Sequence, residues 1–128
     1  MAKSVKDYMM LAKPAVAPIS VPAAQKMLAD SGALLLDVRD GDEVAKSGKA
    51  AGALNISRGM LEFRADADMP TYDKALQKDR PVILYCASGG RCTLAAHLLM
   101  DMGYEQVFAL GSLKDWTDAG GEVEPADA

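Results

Sequence analysis

One short segment of the sequence joins a reactive side chain to a backbone that suits anions. It reads Tyr-Cys-Ala-Ser-Gly-Gly-Arg-Cys-Thr over residues 85–93. A cysteine reacts as its thiolate, and a positive local field favours that form. The small residues Ala87, Ser88, Gly89 and Gly90 allow the chain to curl with its N–H groups pointing inward, which makes an anion-binding nest. The segment therefore predicts nucleophilic chemistry at Cys86, although a buried, inert cysteine at a strand end is the alternative.

Two residues at the end of this segment could assist Cys86. Arg91 carries a permanent charge and parallel donors for an oxyanion. We expect it to favour the thiolate and to bind an anionic ligand; a surface position on a helix is the alternative. Cys92 is interpreted either as an inert residue at a helix start or as a second thiol. In the second case it could react with Cys86, for example by forming a Cys86–Cys92 disulfide.

Continuous apolar runs predict the strands that position this segment. They lie at 33–38, where only Asp37 interrupts the run, at 81–85 and at 106–110, with a shorter strand at 53–56. Such runs are typical of strands covered on both faces in a parallel sheet, and helical stretches between them indicate βαβ units. The turn after residue 85 then lies at the carboxyl edge of the sheet, where these α/β folds bind ligands.

Capping and stop signals predict the helices. Ser20 and Gly32 bound a helix over 21–30, and further helices are expected over 71–77, 91–102 and 113–119. A short helix over 4–13 should stop at Pro14, followed by extended chain to residue 20. We therefore divide the chain into an accessory helix and linker (1–18), a catalytic domain (19–123) and a flexible tail (124–128).

Composition argues against several classes of function. The chain has 128 residues, one domain by size, and a formal net charge of −4, which disfavours nucleic acid as a partner. No apolar run approaches the roughly 18 residues of a membrane span, so we expect no membrane partner and a cytoplasmic location. The two cysteines and single histidine give no set of metal ligands, and neither a metal nor another cofactor is expected.

Three ordered motifs resemble the rhodanese family of sulfurtransferases. The first is Leu-Leu-Asp-Val-Arg at 35–39, followed by Glu43 and by Gly-Ala-Leu-Asn-Ile at 52–56. The second is the loop, in which Cys86, Gly89 and Arg91 match the family pattern. The third lies between 111 and 121 and contains Trp116 and Ala119. The resemblance covers roughly residues 19–123.

The resemblance implies a fold and a reaction. The fold is a five-stranded parallel sheet flanked by helices on both faces. The reaction carries sulfane sulfur from thiosulfate, or a similar small anionic donor, on Cys86 as a persulfide. Cyanide, a thiol or a protein sulfur acceptor then takes that sulfur. The N–H groups of the loop would steady the persulfide. The family often has Ser or Thr at the position of Cys92, so a thiol there is a departure that could change redox behaviour or attack the Cys86 persulfide.

Four other charged residues are candidates for lesser roles. Asp37 and Arg39 flank a predicted strand end and are expected to form a supporting ion pair rather than to catalyse. Arg58 and Arg64 lie in a stretch that borders the active site in the family, and either could bind an anionic donor or be an ordinary surface residue.

Two other functions are alternatives to sulfur transfer by an enzyme. Phosphatases and arsenate reductases also combine Cys, an anion-binding loop and Arg, but place five residues between the two; this chain has four. The other alternative is a non-enzymatic or protein-partnered module that carries sulfur or regulates a partner. Cys86 weakens the non-enzymatic reading, because inactive members of the family usually lose this cysteine.

Overall fold

Five parallel strands form the central sheet in a computed structural model that describes residues 2–127. They are β1 (Ala17–Pro18), β2 (Leu34–Asp37), β4 (Leu54–Asn55), β5 (Val82–Cys86) and β6 (Val107–Ser112). Their spatial order is β1-β6-β5-β2-β4. A separate antiparallel pair joins β3 (Lys49–Ala50) to β7 (Val123–Glu124). The helices are α1 (Val5–Ala15), α2 (Val21–Asp30), α3 (Gly41–Ser47), α4 (Leu61–Ala65), α5 (Gly90–Asp101) and α6 (Leu113–Asp118), with a 3-10 turn at Arg58–Met60.

The central strand β5 is buried on both faces. Successive side chains of a strand point to opposite sides, so Leu84 and Cys86 join the core beneath α5, which contributes Cys92 and Leu99. Tyr85 instead joins the core on the other face, with Ala24 of α2 and Trp116 of α6. The predicted α/β fold, with a five-stranded parallel sheet between helices, is therefore confirmed.

One predicted helix was wrong. Residues 71–77 form turns, not a helix. The Asp73 carboxylate accepts the Ala75 N–H at 2.9 Å, and the Asp73 N–H donates to the Arg64 carbonyl. Such local hydrogen bonds offer the backbone an alternative to helical pairing. The short elements α3, α4, β3 and β7 were not predicted.

The N-terminal segment is more closely integrated than expected. Helix α1 continues through Pro14, which lies in its last turn, and it packs against α5. Ala12 on this helix is fully buried. The expected linker instead contains β1, the edge strand of the sheet, where Ala17 and Pro18 are in register with β6. A proline without an N–H is tolerated at a sheet edge.

The C-terminal boundary also differs from the prediction. Glu124, expected in a flexible tail, pairs with Lys49 across β3 and β7. Within residues 2–127, we find no helix with the length and apolar character needed to cross a membrane.

Candidate active site

The loop between β5 and α5 places Cys86 at the carboxyl edge of the sheet. Gly89 caps α5 with a φ of +101°, a left-handed conformation that favours glycine. Its carbonyl accepts the Thr93 hydroxyl at 2.8 Å and the Thr93 N–H at 3.2 Å. Ala87 and Ser88 are exposed, whereas Gly89, Gly90 and Arg91 are half-buried. The small residues therefore form a tight turn over the cysteine.

The sulfur of Cys86 is surrounded by donors. Its Sγ accepts the backbone N–H of Gly89 at 3.0 Å and that of Cys92 at 3.4 Å, and the residue is fully buried. A hydrogen bond from the Cys92 thiol, together with N–H groups of Cys92, Gly89 and Ser88, lowers the Cys86 pKa to about 5, although burial acts in the opposite direction. Cys86 is therefore a thiolate at neutral pH.

Cys92 has the opposite surroundings. Its Sγ lies 3.2 Å from the carbonyl oxygen of Gly89 and 3.4 Å from that of Gly111. The hydrogen bond to Cys86, followed by burial, raises the pKa of Cys92. Both cysteines are free, and Cys92 remains a thiol that can donate its proton to a neighbour.

The Arg91 guanidinium is already bonded to a carboxylate. Its two terminal nitrogens donate to the two oxygens of Glu43 at 2.6 and 2.9 Å. These bonds lower the Glu43 pKa to about 2 and raise the pKa of Arg91. Glu43 also accepts the Asp40 N–H at 3.1 Å, so it ties the start of α3 to the start of α5. Arg91 was expected to donate to an oxyanion, but its two terminal nitrogens are already bonded to Glu43.

A buried thiolate held by loop N–H groups, on a parallel α/β sheet, agrees with the sequence motifs. The family model of the rhodanese-like domain matches residues 20–119. The chain belongs to the rhodanese family. That match includes the whole Cys86–Cys92 loop, together with α3 and its Glu43.

Similar proteins extend this assignment. "Thiosulfate sulfurtransferase GlpE" of Actinobacillus succinogenes is 33% identical over 110 residues, covering 84% of this chain and 90% of that protein. The human "Thiosulfate:glutathione sulfurtransferase" is 28% identical over 108 residues, covering 78% and 92% respectively. These names support sulfur transfer as the general chemistry of this rhodanese.

One solved structure covers nearly the whole rhodanese chain. It comes from Rhodopseudomonas palustris, is 31% identical and has a TM-score of 0.86, covering 97% of this chain and 96% of its own. It is described as a protein of unknown function and possible tyrosine phosphatase. The shared fold therefore includes the segments outside residues 20–119. The description of that protein also names a second chemistry, that of a tyrosine phosphatase.

Arg58 and Arg64 are engaged away from the rhodanese loop. Arg58 pairs with Glu62 at 3.0 Å, and Arg64 pairs with Asp73 at 2.9 Å. Arg58 also lines a cavity together with residues of α1 and α5, including His97. Within residues 2–127, neither arginine forms a hydrogen bond or ion pair with the loop.

Asp37 and Arg39 form a buried ion pair at the end of β2. The shortest N–O distance between them is 2.7 Å. Arg39 also donates to the Ser47 hydroxyl at 2.8 Å and to the Gly48 carbonyl at 2.6 Å. The pair thereby anchors the C-terminal end of α3, whose other end carries Glu43.

Three residues near the loop were given no role by the sequence interpretation: Glu43, Gly111 and Lys13. Glu43 could have been recognised as an acidic residue at the third position of a helix after a strand end, where it can cap the helix. Gly111 has a φ of +107°, and a Cβ there would lie 2.8 Å from the Asp115 carboxylate. No local signal connects Lys13 with the loop, because only the packing of α1 brings them together.

Proposed function

We propose that this rhodanese transfers sulfane sulfur from thiosulfate, or a similar small anionic donor, to cyanide, a thiol or a protein sulfur acceptor through a persulfide on Cys86. The single observation that carries the proposal is the buried Cys86 sulfur, held as a thiolate by the Cys92 thiol and by the N–H groups of Cys92 and Gly89. This combines a nucleophile with a preformed site for negative charge.

The first half-reaction breaks one S–S bond and forms another. The Cys86 thiolate attacks the outer sulfur of thiosulfate, and sulfite leaves with the electron pair of the broken bond. The outer sulfur now carries the negative charge as a persulfide. Since the N–H groups of a nest point inward, they can donate to this anion, with Ala87, Ser88, Gly89 and Gly90 forming the turn that holds it.

The second half-reaction restores the enzyme. An acceptor thiolate or cyanide attacks the outer sulfur, and the Cys86 thiolate leaves. Its low pKa makes it a good leaving group. The cycle needs no external oxidant, because each step exchanges one sulfur–sulfur or sulfur–carbon bond for another.

Cys92 and Arg91 are assigned supporting roles. The Cys92 thiol donates to the thiolate before attack and after release. Arg91 attracts the anionic donor, although its bonds to Glu43 reduce that attraction. The ion pairs of Arg58 and Arg64 give no support for donor binding by either residue.

Phosphate-ester hydrolysis is the second candidate, because of the description of the Rhodopseudomonas palustris structure. The loop disfavours it. Only four residues separate Cys86 from Arg91, and the guanidinium that would bind phosphate is bonded to Glu43. An assay with p-nitrophenyl phosphate tests this candidate directly, and we expect no turnover above background.

Intact-mass analysis after mixing with thiosulfate tests sulfur transfer. We expect the wild type to gain the mass of one sulfur atom on Cys86, and cyanide to remove it as thiocyanate. Cys86→Ser should gain nothing, whereas the matched variant Cys92→Ser should still be loaded. Absence of the gain, or sulfur on Cys92 in the wild type, would contradict the proposal. A stable persulfide that cyanide and small thiols do not remove would favour the protein-partnered carrier instead.

A further inference from the structure

A cavity of about 330 Å³ borders the Cys86–Cys92 loop on the side of α1 and β1. Its walls come from α1, β1, β6, the loop and α5. The lining residues include Lys13, Val16, Pro18, Gly89 and Leu110. The volume falls at the lower end of the range for small organic ligands, about 300–1,000 Å³, and the cavity is therefore larger than an inorganic donor alone requires.

The walls combine apolar surface with one charged group. Val16, Pro18 and Leu110 are apolar, and Lys13 is the charged residue among those that line the cavity. Lys13 is exposed and belongs to none of the ion pairs formed within residues 2–127. In a chain of net charge −4, this cation creates a local site where an organic anion can bind.

Lys13 therefore differs from Arg91, the cation predicted from sequence. The Arg91 charge is compensated by two bonds to Glu43, while Lys13 has no carboxylate partner in the described chain. Gly89 belongs both to the wall of the cavity and to the immediate surroundings of the Cys86 sulfur. Gly89 lines the cavity, and its N–H donates to the Cys86 sulfur at 3.0 Å. A ligand in the cavity thus lies against the turn that carries the persulfide.

We propose that this cavity is the binding site of the sulfur acceptor, and that the acceptor is a small organic thiol bearing a carboxylate. The carboxylate pairs with Lys13, the carbon chain contacts the apolar wall, and the thiol is directed toward the loop at Gly89. The inference rests on the proposed sulfur transfer and names the class of its second substrate. Lys13 and Val16 precede residues 20–119, so the family match assigns nothing to them.

A pair of acceptors that differ in charge tests the site. Steady-state sulfur transfer from thiosulfate is measured with 3-mercaptopropionate, which carries a carboxylate, and with 2-mercaptoethanol, which is neutral. Lys13→Gln should raise the KM for 3-mercaptopropionate by about 2- to 5-fold, the size of a partly exposed ion pair, and leave kcat unchanged. The KM values for 2-mercaptoethanol and thiosulfate should not change. The increase should become smaller at high ionic strength.

Two further variants serve as controls. Lys6→Gln removes the same charge from the same helix but from a residue outside the cavity, and it should leave every KM unchanged. Lys13→Arg keeps the charge and should keep the wild-type preference. Equal effects of Lys13→Gln and Lys6→Gln, or equal effects on both acceptors, would overturn the assignment of Lys13.

A binding measurement separates this inference from the proposed reaction. The thioether 3-(methylthio)propionate keeps the carboxylate but cannot accept sulfur. Titrated into isotope-labelled protein, it should shift the amide resonances of Ile19, Gly89 and Gly111, and Lys13→Gln should weaken that response. If a persulfide forms but these resonances do not move, the acceptor site is wrong and sulfur transfer stands. If they move but no persulfide forms, the cavity binds the anion, and both sulfur transfer and the acceptor role fail.

Discussion

The end of β5 and the first turn of α5 each place a fully buried cysteine at the same loop, yet the two thiols differ sharply. At the end of β5, the Cys92 thiol and backbone N–H groups surround the Cys86 sulfur and lower its pKa to about 5. In the first turn of α5, the Cys92 sulfur lies against the carbonyl oxygens of Gly89 and Gly111, and its hydrogen bond to Cys86, followed by burial, raises its pKa. Burial disfavours the thiolate at both residues, and the N–H groups and the Cys92 thiol that donate to Cys86 overcome it there.

This difference also makes the two cysteines interdependent. A thiolate at Cys86 is stabilised by a proton retained on Cys92, and the same negative charge makes loss of that proton less favourable. Before sulfur is loaded, Cys92 is therefore protonated and a poor nucleophile. Its position favours hydrogen-bond donation, the role that a Ser or Thr hydroxyl can also fill.

The largest expected effect is on the free energy of unfolding, which ionised Cys86 should make dependent on pH. Because its pKa falls from about 8.5 in an unfolded chain to about 5 when folded, the unfolded state binds more protons between these values. The thiolate's contribution to the free energy of unfolding is complete above the unfolded pKa and is lost as pH falls toward 5, by at most about 1.4 kcal/mol per pH unit. Urea unfolding of the wild type and Cys86→Ser measures this difference.

The comparison between these two proteins isolates the cysteine, since all other titrating groups are shared. We expect the stability difference between wild type and Cys86→Ser to change steadily between pH 8 and about pH 5 and to level off below. Parallel stability curves across this range would show that Cys86 is not ionised in the folded protein.

The next largest effect concerns the donor in the first turn of α5. Cys92→Ala removes the thiol that bonds to Cys86, and hydrogen bonds to charged groups contribute about 1.5–3 kcal/mol. The Cys86 pKa should therefore rise by about one to two units. The pH dependence of alkylation by iodoacetamide measures this pKa.

Cys92→Ser is the matched control for that prediction. A hydroxyl can donate as the thiol does, so the alkylation profile should stay near that of the wild type. If the serine and alanine variants shift the profile equally, donation by residue 92 does not explain the low pKa of Cys86.

The same contrast explains what the sequence could reveal. The apolar runs around 33–38 and 81–85 predict buried parallel strands, and small residues after Cys86 predict an N–H nest, because both follow from local composition. The position of Cys86 at the start of this nest could thus be predicted from the sequence. The orientation of the Cys92 sulfur could not, since it depends on Gly111, a residue on the neighbouring strand β6.

Longer-range packing accounts for the remaining differences. Arg91 was expected to offer free donors, but Glu43 lies 48 residues earlier in the chain and reaches it only because α3 and α5 begin near the same edge. Residues 1–18 suggested an accessory helix and a linker, because Pro14 and Pro18 are common breakers. Pairing of β1 with β6 and packing of α1 on α5 are tertiary contacts that override this local signal.

The smallest expected effect comes from the ion pair outside the sulfur's own hydrogen bonds. Arg91 and Glu43 are each more than a third exposed, so solvent screens their influence, and we expect shifts below about one pKa unit. Arg91→Gln leaves the Glu43 carboxylate uncompensated and should raise the Cys86 pKa. Glu43→Gln leaves the guanidinium uncompensated and should lower it. The double variant should return close to the wild-type alkylation profile. A larger shift from Arg91→Gln than from Cys92→Ala would mean that the guanidinium, and not the first turn of α5, is the main source of the thiolate.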